Sequence, residues 1–202
     1  MGAVKFPKLL RSKHESLAAD LPVWMDPIEF SQVTAVIEAV APRSFLEWGS
    51  GGSTRALLEN CPFVERYVSI EHDPLWHGQV SARIRDPRLS LHLVPADVPT
   101  PDPKSHKTIK ADWNLRAESD ASMMRTYVGF PRTLGLQFQL VLVDGRARTF
   151  CLREGFDLLA PNGVLLLHDA QRSEYHETMR SLGRAVFLTP WKQGQVCLLR
   201  KS

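Results

Sequence analysis

An α/β fold built on an open, mostly parallel, doubly wound sheet follows from three features of the 202-residue chain. Short apolar runs alternate with segments of helical periodicity, the pattern of right-handed parallel crossovers that cover a sheet on both faces. The runs 140–143 and 164–167 are unbroken Val/Leu, as expected for strands buried on both sides. Between them in importance, residues 44–54 (Ser-Phe-Leu-Glu-Trp-Gly-Ser-Gly-Gly-Ser-Thr) read as strand, glycine turn and helix start, the opening of a nucleotide-binding βαβ unit.

In chain order, residues 8–19 suit a short helix that Pro22 interrupts. Asp26-Pro27 then supplies an N-cap and first-turn proline for a helix whose apolar positions, Phe30, Val33, Val36, Ile37 and Val40, recur until Pro42. Residues 1–43 thus form an N-terminal helical cap. The first strand is 44–48, its crossover helix 53–60, and the second strand 66–71. Asp73-Pro74 opens a helix to about residue 85, and 89–94 is the third strand. Residues 95–136 break the rhythm: Pro95, Pro99, Pro101 and Pro103 precede Lys104, His106, Lys107 and Lys110, then Trp113, Met123, Met124, Tyr127 and Phe130. Because α/β loops usually have about two to six residues, this stretch reads as an insertion with a helix near 117–128, more a substrate-covering lid than a plain surface loop. The fourth strand is 140–144, followed by a helix at 148–159, the turn Pro161-Asn162-Gly163 and a fifth strand at 164–169. A helix at 173–182 and a hairpin of 185–188 with 196–200, turning through Pro190 and Gly194, close the chain.

With 44% hydrophobic and 23% charged residues, the chain suits one domain spanning 1–202. The formal charge of +3 is far from the basic footprint of a nucleic-acid binder, and Lys5, Lys8, Arg11 and Lys13 read as a solvated helix end. Cys61, Cys151 and Cys197 have no metal-ligand spacing and suit small buried positions. No run reaches the ~20 apolar residues of a membrane helix, and the N-terminus lacks a signal-peptide core, so a soluble cytoplasmic protein is expected.

The glycines of the loop let a ligand lie against bare backbone, with the first-turn N–H groups of the following helix pointing at it. Glu71, ending the second strand, offers an ionised bidentate acceptor for two ribose hydroxyls. A nicotinamide-dependent oxidoreductase would show the same acid, but its fingerprint asks for glycine where Thr54 stands, and a pyrophosphate is ill served by Glu47 at the mouth of the loop.

Glu47-Trp48-Gly49-Ser50-Gly51-Gly52, Glu71, Asp97, Asp144 and Pro161-Asn162-Gly163 together resemble the successive motifs of class I S-adenosylmethionine-dependent methyltransferases. The resemblance covers residue 44 to the C-terminus apart from 95–136. It implies a Rossmann-like, seven-stranded sheet with an antiparallel C-terminal strand. It also implies S-adenosylmethionine as cofactor, with Glu47 and Gly49, Ser50, Gly51 and Gly52 at the methionyl end, Glu71 on the ribose and Asp97 on the adenine amino group. Ser53, His72 and Asp144 complete the expected cofactor-binding set. The sequence departs from the family at Gly52-Ser53 and at Pro95-Ala96-Asp97.

Methyl transfer is an in-line displacement that needs an aligned acceptor and a group to take its proton. Asp144, His168 and Asp169, at the ends of the fourth and fifth strands, are the candidate catalytic residues, and Arg146 or Arg148 could pair with Asp144 or meet an anionic acceptor. Asp144 and Asp169 could share a divalent cation, as the resemblance to catechol-type O-methyltransferases suggests. That is the weaker alternative, since Ala170 stands where a metal-dependent member has Asn. Each also has a structural reading: Asp144-Gly145 as a turn, Asp169 as a helix cap, His168 as a fixed strand-end histidine. The expected activity is methylation of a small molecule, at oxygen. The alternatives are a methyltransferase-like protein that binds the cofactor without catalysis and, third, an NAD(P)-dependent oxidoreductase.

Overall fold

The computed structural model describes residues 21–189 and 194–201. The helix expected at 8–19, the basic residues before it and Pro190 of the closing turn lie outside the described residues.

Helix α1 (Pro27–Val40) begins where the Asp26 carboxylate accepts from Ile28 N at 3.0 Å, a cap worth about 1 kcal/mol. It ends at Ala41, in the left-handed region just before Pro42. β1 (Ser44–Trp48), α2 (Gly52–Asn60), β2 (Arg66–Glu71), α3 (Pro74–Arg83) and β3 (Leu89–Leu93) follow as two outward parallel crossovers. β4 (Phe138–Val143), α6 (Arg148–Asp157), β5 (Leu159–Leu167), α7 (His176–Leu182), β6 (Val186–Phe187) and β7 (Cys197–Arg200) complete the chain after α4 and α5, described below. The seven-stranded sheet has the order β3-β2-β1-β4-β5-β7-β6, and β7 runs antiparallel to both of its neighbours. The strand direction and count agree with the expectation.

Alternation along the strands makes two cores. Phe45, Tyr67, Leu140, Leu142 and Leu166 face Val33 and Ile37 of α1, Leu57 and Leu58 of α2 and Val80 of α3. Leu46, Trp48, Val68, Ile70, Val141, Val143, Leu165 and Leu167 face the opposite layer. The three cysteines are buried and free.

The largest difference from expectation is residues 95–136. They contain α4 (Lys107–Ser119), α5 (Arg125–Gly129) and two short 3-10 turns, and the helix expected at 117–128 is broken at Asp120. The Asp120 carboxylate accepts from Ser122 N and Oγ at 2.9 and 2.6 Å, a local bond that competes with the helix. Trp113, Ala117, Met123, Met124 and Tyr127 are core residues of the second layer. This stretch is the return crossover from β3, at the sheet edge, past β2 and β1 to β4 at the centre. A second difference is at β5, which begins at Leu159 rather than 164. Leu159 pairs with Phe138 and Val164 with Leu140, so Pro161-Asn162-Gly163 bulges out within the strand, with Asn162 in the left-handed region.

Candidate functional site

Connections leave β1 and β4 in opposite directions, which makes the gap between their C-terminal ends the topological switch point where open α/β sheets bind ligands. Register sets what stands there. Trp48 is level with Ile70 and Val143, Val143 with Leu167, and Glu71 with Leu93, so Gly49, Glu71, Asp144 and His168 share one edge.

The loop after β1 has tight requirements at two positions. Gly49 has φ +97°, and a Cβ there would lie 2.7 Å from the Gly145 backbone, so the β1 and β4 loops touch through glycine. A Cβ on Gly52 would meet the carbonyl oxygens of Pro22 and Leu21 at 2.4 and 2.6 Å, so this glycine makes room for the chain's own backbone. Gly51 is extended and faces the Trp76 ring, whose Nε1 donates to Ser50 O at 2.6 Å. Trp76 therefore lies over the loop as well as packing against the α1–α3 layer.

Glu47 is fully buried, beneath α2 rather than at the mouth of the loop. Its Oε2 accepts from Thr54 Oγ1 at 2.7 Å and Ser69 Oγ at 2.8 Å, while Thr54 Oγ1 accepts from Gly51 N at 2.8 Å. Burial pushes its pKa up to about 8. The structure thus assigns Glu47 to bracing the loop through Thr54, the position that excluded a dinucleotide fingerprint. Ser53, in the first turn of α2, is buried beside it.

Glu71 ends β2 with Oε1 accepting from the backbone N–H of His72 and Asp73, both at 2.8 Å, and with Ser50 Oγ donating to Oε2 at 3.3 Å. The His72 ring stacks towards Trp113 at 6.2 Å and meets the edge of Tyr127 at 5.6 Å. Next to it, an open pocket of about 210 Å³ is lined by His72, Pro74, Pro95, Ala96, Pro99 and Thr100, at the ends of β2 and β3. Asp97 is turned away from that pocket. Its carboxylate accepts from Thr126 N at 2.8 Å and Thr126 Oγ1 at 2.5 Å, near the start of α5. Those bonds outweigh its partial desolvation and hold its pKa below the ordinary value.

At the other half of the edge, Arg148, in the first turn of α6, draws the ends of β4 and β5 together. Nε donates to Gly145 O at 2.9 Å, Nη1 to His168 O at 2.8 Å and Asp169 Oδ2 at 2.9 Å, and Nη2 to Asp144 O at 3.1 Å and Oδ1 at 3.3 Å. Every N–H of the guanidinium is used. Glu118 of α4 accepts from Ala147 N and Arg148 N at 3.2 and 2.8 Å, which fixes the start of α6 where Ala147 takes a left-handed conformation. Asp169 also pairs with Arg172 at 2.7 Å. Burial alone would raise the pKa of Asp169, but Arg148, His168 and Arg172 bring it below the usual value. Among the described residues neither strand-end aspartate makes the backbone cap of a turn or helix start; both are tied to side chains.

His168 is brought to Asp144 as expected, with Nδ1 2.6 Å from Asp144 Oδ1. Its Nε2 lies 3.5 Å from Oε2 of Glu29, a buried residue of α1. Burial opposes the imidazolium, yet the Asp144 contact and then Asp169 raise its pKa above the ordinary 6.5. Burial likewise raises that of Glu29, against the pull of His168, and Glu29 Oε1 has no hydrogen-bond partner among the described residues. Glu29 was missed from the sequence, although it falls on the i, i+4, i+8 stripe with Val33 and Ile37 that α1 buries. Glu118 carried no comparable signal. Tyr175 and His176 pack in or against the second core, His176 with Nε2 2.9 Å from Ala170 O.

The strand order, the glycine loop after β1, the acid ending β2 and the antiparallel β7 make a Rossmann-like fold that solved methyltransferase structures share. A methyltransferase-like protein from Silicibacter pomeroyi shares 23% identity with a TM-score of 0.57, over 91% of this chain and 90% of that one. The O-methyltransferase TomG from Streptomyces achromogenes, in complex with S-adenosylmethionine, shares 13% at TM-score 0.57, over 88% and 82%. An O-methyltransferase from Bacillus cereus, in complex with S-adenosylhomocysteine, shares 12% at TM-score 0.59, again over 88% and 82%. No family model and no curated protein matches the sequence. Among the described residues, no helix is long and apolar enough to cross a membrane.

Proposed function

We propose that the chain binds S-adenosylmethionine across the ends of β1, β2 and β3 and transfers its methyl group to an oxygen of a small molecule held at the ends of β4 and β5. The observation that carries this reading is the alignment of a buried ribose-type acid, Glu71, with a backbone loop braced from below and an open pocket of about 210 Å³ at the adjacent strand end. The residues fit an adenosyl ligand. Glu71 Oε1 is taken by the N–H groups of His72 and Asp73, so Oε2, with Ser50 Oγ at 3.3 Å, is the oxygen that would meet a ribose hydroxyl, and His72, Pro95 and Ala96 line a recess for a flat base. The Tyr127 hydroxyl lies buried against Gly145, without a hydrogen-bond partner among the described residues, beside the switch point. When bound, the cofactor supplies an electrophilic methyl on a sulfonium. The chain holds the two reactants in line and receives the acceptor's proton.

His168 suits the second task. With Nδ1–H donated to Asp144, the neutral tautomer leaves the Nε2 lone pair to accept a proton, and Asp144 stabilises the imidazolium that results. Thr54, engaged by both Gly51 and Glu47, argues against a dinucleotide site, because that contact stands where a dinucleotide fold brings helix and strand together on glycine.

Thermal shift with S-adenosylmethionine, S-adenosylhomocysteine and NAD, run side by side, tests the cofactor. A ligand at a hundredfold its Kd stabilises by about 2.7 kcal/mol, so the two adenosyl ligands should raise Tm while NAD leaves it unchanged. A shift with NAD alone would overturn the proposal. Labelled methyl transfer to a panel of small hydroxyl compounds separates an enzyme from a silent binder.

A further inference from the structure

The carboxylates that end β4 and β5 would, with a divalent ion between them, activate an acceptor hydroxyl by Lewis acidity. Here the space between them holds a guanidinium. Arg148 Nη2 lies 3.3 Å from Asp144 Oδ1 and Nη1 2.9 Å from Asp169 Oδ2, and the rest of its N–H groups are spent on the carbonyls of Asp144, Gly145 and His168. Arg172 adds a second cation to Asp169, and His168 takes up Asp144 Oδ1 at 2.6 Å. Among the described residues no group of three or more His, Cys, Asp and Glu is arranged to hold a metal ion. A dication entering this gap would meet two guanidinium charges and would have to expel side chains that close the ends of both strands. The pair of aspartates therefore does not fit the metal that their positions suggest.

We propose that Arg148 is a built-in cation standing where a divalent ion would be, and that the chain methylates, without metal, acceptors whose proton an imidazole can take unaided. This deepens the function proposed above and rests on it. Unassisted transfer selects phenolic and enolic hydroxyls, since a phenol ionises near pH ~10 whereas water-like hydroxyls need ~16. In the step, the acceptor O–H proton passes to His168 Nε2. A lone pair on the acceptor oxygen forms the O–CH3 bond as the S–CH3 bond breaks, and the breaking bond's electron pair stays on sulfur. The products are the methyl ether, S-adenosylhomocysteine and an imidazolium that later releases its proton to solvent. Glu29 Oε2, 3.5 Å away, stands beside the same His168 Nε2.

The test has two readouts on the full chain. Electron paramagnetic titration with Mn²⁺ alone should show no saturable site at millimolar ion, in the wild type and in Asp169→Asn alike. A saturable site in the wild type that Asp169→Asn removes would overturn the proposal whether or not any acceptor is known. Methyl transfer to a panel of phenols and aliphatic alcohols should favour the phenols and should change less than about twofold between chelator and added Mg²⁺. A loss of about tenfold in chelator that Mg²⁺ restores, or transfer confined to aliphatic alcohols, would also overturn it. Failure of the adenosyl ligands to shift Tm would instead count against the parent reading, and the Mn²⁺ result would stand apart from it.

Discussion

At the ends of β1 and β2 the chain presents mostly backbone: a glycine turn, two N–H groups bound to Glu71 and a shallow recess between His72 and Ala96. At the ends of β4 and β5 it presents almost nothing but charged side chains, with Arg148, Asp144, His168, Asp169 and Glu29 tied to one another. The first half leaves an open recess beside bare backbone, whereas the second is a closed network in which Arg148 ties Asp144 to Asp169 and Asp144 in turn holds His168. The difference also divides risk. Errors in the second half should cost more of the fold than errors in the first.

The largest effect should therefore fall on the closed half. Arg148→Met leaves Asp144 and Asp169 without their common partner and strips three carbonyls of their donor, and should cost about 3–5 kcal/mol in urea unfolding. A loss under about 1 kcal/mol would show that the network is incidental. In the open half two glycines should behave differently. Gly49→Ala forces a side chain into positive φ and against Gly145, at about 1–3 kcal/mol, whereas a Cβ on Gly51 would meet the Trp76 ring only at 3.5 Å, so Gly51→Ala should stay within about 1 kcal/mol. Equal costs would mean that the β1–β4 contact does not set the loop.

A smaller effect concerns pH. Glu47 holds its proton up to about pH 8 when folded, against an ordinary value of 4.5. Between those values the folded chain binds a proton that the unfolded chain has released. The stability this group contributes is complete below pH 4.5, falls as pH rises, and is gone above about 8. His168, whose pKa is also raised, acts in the same sense, with its share complete below its ordinary 6.5 and lost as pH climbs through the raised value. Melting temperatures measured across this range should decline, and Glu47→Gln should flatten the slope. A wild-type Tm that climbs steadily over the same range would contradict the burial of that carboxyl.

The two halves also differ in how legible they were. The glycine turn, Glu71 and the strands flanking them lie within 28 consecutive residues, so spacing alone located them. What spacing could not show was direction: Glu47 and Gly52 serve the packing of α2, and Asp97 binds Thr126 across the layer. The closed half draws on residues 29, 118, 144, 148, 168 and 169, brought together only by tertiary packing. Asp144, His168 and Asp169 were readable because they end apolar runs. Glu29 had a signal in the buried stripe of α1, and Glu118 had none. Residues 95–136, read as an insertion and possible lid, carry the crossover from β3 to β4, and the strand order that makes them one cannot be counted along the chain.

Isothermal titration of S-adenosylhomocysteine into the wild type and into Glu71→Gln tests the central claim most directly. The account predicts one-to-one binding to the wild type and a loss of about tenfold to hundredfold in the variant, the usual worth of hydrogen bonds to a charged acceptor. Equal affinity in the two proteins, or no heat with either, would contradict it.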